Sequence, residues 1–139
     1  MTAKEYLDQV ANAEAEIEHI QYKIEHFDSL VNSMNMGYDA DRVQTSKVDN
    51  DPAFAKFINM KIDAEADLEA AVNRYEEIYK EVDGTIKQVG GLEGHVLFMR
   101  HINRMHIDEI AEEKGYSFEG MRTVFERAYE KIEEILANK

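Results

Sequence analysis

The chain has 139 residues, a formal net charge of −13, 44% apolar and 32% charged residues, and no Cys. That apolar share can bury a core and excludes a disordered acidic tail. The missing Cys excludes disulfides, thiolate chemistry and Cys-based zinc sites. The longest apolar run, Val96-Leu97-Phe98-Met99, is far short of the roughly 20 residues a membrane-spanning helix needs. Lys4, Glu5 and Asp8 stand where a secretion signal would be apolar, so a cytoplasmic protein is expected. The net charge argues against coating nucleic acid or anionic membrane by bulk attraction.

Pro52 is the only proline, and of the seven glycines only Gly37 precedes Gly84. The stretches before Gly37 and from Pro52 to Asp83 therefore suit long helices. The first has a heptad seam. One register reads Ala3, Val10, Ile17, Ile24, Val31, and the other Tyr6, Ala13, Ile20, Phe27, Met34. Both are apolar throughout, which is a coiled-coil pattern. A helix from Ala3 to Met34 spans about 48 Å and needs an equally long partner. Asp51-Pro52 is a helix-start signal for that partner. Phe54, Ile58, Leu68, Val72, Tyr75, Tyr79 and Val82 form its stripe, interrupted by Lys61 and Glu65, with Ile62 and Ala64 shifting the contact. The expectation is an antiparallel helical hairpin over 1–89, connected through 36–51. Asp83-Gly84 and Gly90-Gly91 punctuate the passage to the C-terminal part. The charge is uneven: 9 basic and 19 acidic residues in 1–90, but 7 and 10 in 91–139.

Residues 90–139 hold the most informative pattern. Leu92 to Ile102 reads as one helix, His106 to Glu113 as a short second one, and Lys114-Gly115-Tyr116 as a tight turn. Ser117 caps a long helix to about Leu136. Ala111 is small where two helices cross steeply, and Gly115 admits the left-handed turn. Ile107, Ile110, Met121 and Val124 fall on the inner face. This is a helix-turn-helix pattern, so the fold class expected is all-α, with a coiled-coil hairpin followed by a helix-turn-helix domain.

In a DNA reader the outward start of the last helix would enter the major groove. Ser117, Phe118, Arg122, Thr123 and Glu126 lie there. Arg122 has the donors for guanine, and Thr123 suits phosphate or a thymine methyl. Lys114, Arg127, Arg100 and Arg104 are candidates for backbone phosphates. Glu119 and Glu126 oppose that charge, and Gly120 weakens the first turn by about 1 kcal/mol relative to Ala.

The opening MTAKEYLDQV, DRVQTS (Asp41 to Ser46) and EIAEEKGYSFEGMRTVFERAYEKI (Glu109 to Ile132) resemble a family of small phage and prophage proteins of Gram-positive bacteria. In that family a helical region precedes a helix-turn-helix similar to region four of bacterial sigma factors, related to late-transcription regulators of the ArpU and RinA type. The resemblance implies a phage transcription regulator in the host cytoplasm that binds promoter DNA, RNA polymerase or both. The chain departs from the family in placing His101 after Arg100, and Phe118, Glu119 and Gly120 after the capping Ser.

Other chemistry finds little purchase. His19 and His26 are about 10.5 Å apart along a helix, too far for one ion. His101 and His106, with Asp108 nearby, read as exposed or capping residues rather than metal ligands. No phosphate loop and no nucleophile motif appears, so neither an enzyme nor a cofactor is expected. Met34, Met99 and Met121 read as core, and Met36, Tyr38 and Met105 as exposed. Tyr6, Tyr22, Tyr75 and Tyr79 read as hairpin packing. A rival reading is an acidic interaction protein whose Glu14, Glu16, Glu18, Glu65, Asp67 and Glu69 mimic phosphates and block a basic protein partner, such as a host nuclease. A third is a structural oligomer, and a homodimer through the coiled coil fits it as well as the regulator.

Overall fold

A computed structural model describes residues 1–39 and 52–139, and every element among them is a helix. They are α1 (Ala3–Asp39), α2 (Pro52–Val89), α3 (Gly91–Leu97), a π-helical segment (Phe98–Ile102), α4 (Ile107–Lys114) and α5 (Phe118–Ala137). Residues 40–51, with Asp41 to Ser46 and the expected Asp51 cap, lie outside the described residues, as do the side chains of Met36 and Tyr38. Among the described residues no helix is long and apolar enough to cross a membrane.

The chain divides into two compact units, Met1–Glu14 with Arg74–Lys139, and Ala15–Asn73. In the second, Ile20, Phe27, Phe54, Ala64 and Ala71 are buried. Lys61 lies on the heptad line of Phe54 and Leu68, and its ammonium reaches the Asp28 carboxylate at 2.5 Å. That hydrogen bond, followed by the charge of Asp28, raises the Lys61 pKa. Ile62 is 56% exposed and Glu65 is exposed, so only Ala64 carries the expected shift of contact.

The first unit has the larger core. Tyr6, Leu7 and Val10 of α1 share it with Val82 and Ile86 of α2, Val96 and Leu97 of α3, Ile110 of α4 and Met121, Val124 and Ile132 of α5. Tyr6 Oη lies 2.9 Å from Thr85 Oγ1, and Tyr75 Oη donates to Glu14 Oε1 at 3.1 Å. Both bonds tie the start of α1 to the end of α2 within this unit. Burial and then the Glu14 hydrogen bond raise the Tyr75 pKa.

The structure differs from the sequence reading in three places. First, the buried line of α2, which continues through Asp83-Gly84 to Val89 without a break, uses Ala64, Ala71 and Thr85, at multiples of seven residues, rather than Ile58, Val72 and Tyr79, which are half-buried. Second, Leu7 is fully buried although it lies off the heptad seam. The start of α1 meets α2 and the C-terminal helices at once, so its buried stripe is wider than two positions per heptad. Third, the stretch expected as one helix from Leu92 to Ile102 changes pitch: from Phe98 its hydrogen bonds skip five residues, with Asn103 N–H donating to Phe98 O at 3.1 Å.

Candidate functional site

Local chemistry explains how α4 and α5 are joined. Gly115 takes φ 74°, and its N–H and that of Tyr116 return to the carbonyls of Glu112 and Ala111. A left-handed residue there ends α4, and Gly adopts it without steric cost. Ser117 is extended, and its Oγ accepts from Gly120 N–H at 3.0 Å, starting α5. Ile110, Ala111, Met121 and Val124 are buried beneath this junction. The exposed start of α5 presents Ser117, Arg122, Thr123 and Phe118, the last 49% exposed, with Tyr116 beside them and Lys114 half-buried. Thr123 Oγ1 donates back to Glu119 O at 3.2 Å.

Next to this surface is a cleft of about 430 Å³ lined by Lys4, Asp8, Ala11, Arg100, His101, Arg104, Ile107, Arg122, Phe125, Glu126 and Tyr129. Four of the candidates expected from sequence, Arg100, Arg104, Arg122 and Glu126, therefore meet in one place. Arg127 does not line it; its Nε lies 3.5 Å from Glu93 Oε1, a carboxylate shared with Lys131. A backbone hydrogen bond, then Lys131 and Arg127, hold the Glu93 carboxyl below the usual range against an opposing effect of burial.

The cleft is positioned by the π-helical segment, a widened turn of a kind common at functional sites. That segment carries Arg100 and His101. Arg100 Nη1 donates to Met105 O at 2.9 Å. Arg104 holds a left-handed φ of 58°, which costs a non-Gly residue about 1–2 kcal/mol. Its guanidinium is tied to α1 by Glu14 Oε2 at 2.6 Å and Ala11 O at 3.3 Å.

At the floor, His101 is only 8% exposed. Its Nδ1 lies 3.2 Å from Asp8 Oδ1, and its Nε2 lies 2.9 Å from Tyr129 Oη. Burial depresses the His101 pKa, and Asp8 opposes that shift. A neutral ring donating from Nδ1 to Asp8 and accepting at Nε2 from Tyr129 satisfies all three groups. Burial also pushes the Tyr129 phenol up to about 12, keeping it a donor. Lys4 Nζ sits 5.6 Å from the centre of the Tyr129 ring.

His101 is thus neither exposed nor a cap, and its carboxylate partner is Asp8 rather than Asp108; His106 is the exposed residue that caps α4. Among the described residues no three His, Asp or Glu side chains group as a metal site. Sequence reasoning missed Lys4, Asp8 and Tyr129, because Asp8 and His101 are 93 positions apart and share no motif.

No family model matches the chain, and no curated protein or solved structure matches it.

Proposed function

We propose that the chain is a transcription regulator of the phage sigma-like kind, which meets promoter DNA, RNA polymerase or both through α4, α5 and the turn between them. In this reading those two helices form a helix-turn-helix, and the hairpin over 1–89 supplies dimerisation or a second docking surface. The observation that carries it is local positive charge: Arg100, Arg104 and Arg122, with Lys4, line one cleft beside the exposed start of α5 in a chain of net charge −13. A net-negative protein can bind DNA only where cations are gathered in this way. The exposed aromatics Tyr116 and Phe118 favour a protein contact on the same face.

The acidic-mimic reading has less support. Glu14 is taken up by Arg104 and Tyr75, and Glu18 accepts from Tyr22 at 3.4 Å, so these carboxylates serve intramolecular bonds.

A mobility-shift titration against random-sequence duplex DNA at low salt tests the regulator reading. Binding should weaken as salt rises, and Arg122→Ala should make the log–log salt slope shallower by about 0.9 for each phosphate that Arg122 neutralises. No shift at low salt excludes the DNA arm. A pull-down of RNA polymerase that depends on Phe118 then decides the other arm.

A further inference from the structure

Four cations from separate stretches of the first unit line the cleft, against two carboxylates. Their existing bonds differ. Arg104 is engaged by Glu14, Arg100 gives one donor to Met105 O, and Asp8 is bonded to His101. Among the described residues, Lys4 and Arg122 have no ion pair. They come from the first turn of α1 and the second turn of α5, so the fold brings together charges that repel. An anion between them turns that repulsion into attraction.

The surroundings narrow the anion. Counted with Glu14, which pairs with Arg104, the cations still exceed the carboxylates by one, which favours an anion, and a phosphomonoester carries the oxygens and charge to meet Lys4 and Arg122 together. Guanidinium forks suit its oxygens. Phe125, Ile107 and Ala11 give the cleft an apolar wall, and Asp8 and Glu126 offer acceptors for hydroxyl or amino groups. Bare phosphate would leave both features unused. The volume of about 430 Å³ falls within the roughly 300–1,000 Å³ of small-molecule sites.

We propose that this cleft binds a small organic phosphomonoester of mononucleotide size, its phosphate held by Lys4 and Arg122 with Arg100 and Arg104 behind them. His101 and Tyr129 form the floor, and their rings sense an occupant. The proposal does not rest on the regulator reading, since a free ligand can fill the cleft whether or not α5 meets DNA.

The test uses the full chain and four probes: adenosine 5′-monophosphate, adenosine, inorganic phosphate and a short DNA duplex. Binding is followed by calorimetry and by the ring resonances of His101 and Tyr129. The monophosphate should bind saturably and shift both rings, and adenosine should not. Lys4→Ala with Arg122→Ala should weaken binding at least about tenfold, because the charge-assisted hydrogen bonds to phosphate are removed. Lys23→Ala, an exposed cation in the other unit, should leave it unchanged. Both altered residues are exposed, and far-UV circular dichroism verifies the fold. No saturable shift at millimolar monophosphate, equal binding by the double variant, or equal binding of inorganic phosphate overturns the proposal. Duplex binding without monophosphate binding refutes the cleft ligand and leaves the regulator standing; the reverse result supports the ligand and removes DNA reading.

Discussion

Leu7→Ala tests whether the first turns of α1 belong to the C-terminal core. Leu7 is 0% exposed and shares one cluster with Ile110, Met121 and Ile132. Truncating a fully buried Leu costs about 2.7–5.0 kcal/mol, the spread reflecting how far the site collapses. Each kcal/mol lowers the midpoint by roughly 4–8 °C in a unit of 60–100 residues, so a loss of at least about 10 °C is expected. The assay is a thermal melt followed by the methyl resonances of Met121 and Ile132, which follow the first unit separately. The alternative is that residues 90–139 hold together without α1. In that case those methyls would melt at an unchanged temperature, and a shift equivalent to less than about 1 kcal/mol would refute the shared core.

Gly115→Ala should destabilise by about 1 kcal/mol, because φ 74° is strained for Ala although its Cβ meets nothing within 4 Å; Gly115→Asn should cost less, and equal melts for all three would refute the backbone argument. His101 should titrate below 6.5 by ring-nitrogen resonance, since burial disfavours its charged form. The folded state then binds fewer protons than the unfolded one. Stability from this group is complete above the unfolded value near 6.5 and falls as pH drops toward the lower folded value, by no more than about 1.4 kcal/mol per pH unit. A midpoint above 6.5, or an unchanged pH profile in His101→Phe, would refute this. Lys61→Leu should raise the melting temperature of residues 15–73, read by the Ile20 methyls, because a polar group at a seam position weakens helix pairing; a lower temperature would show that its pairing with Asp28 matters more.

Much of the helical layout is legible in the sequence, and the reasons are local. All ten heptad positions of α1 read from the sequence, from Ala3 to Met34, are buried or half-buried, because a seam pattern needs only period and polarity. Gly115 and Ser117 end α4 and start α5 through backbone preferences of single residues. The pitch change at Phe98 is not legible, because nothing in FMRHI marks a π turn and the tertiary fit of His101 beneath Asp8 and Tyr129 selects it. The register of α2 fails for a related reason. Ala64 and Ala71 are small, so counting large apolar residues favours Ile58 and Val72, while close helix approach favours Ala.

The candidate site shows the same division. Arg100, Arg104 and Arg122 are visible as cations in the C-terminal part, yet their convergence depends on α1, which supplies Lys4, Asp8 and the carbonyl of Ala11. A charge count over residues 91–139 finds that segment acidic and argues against an anion site. What matters for binding is the field inside a partly enclosed cleft, where neighbouring low-dielectric walls strengthen nearby charges and solvent screens distant ones. Of the two carboxylates that line the cleft, Asp8 is bonded to His101 while Glu126 has no ion pair among the described residues; nearby, Glu14 is bonded to Arg104 and Tyr75. Lys4 and Arg122 keep their charge for an incoming anion. A net charge of −13 and a cationic cleft are therefore compatible, because the cleft gathers four cations against two lining carboxylates while most of the acidic residues lie elsewhere.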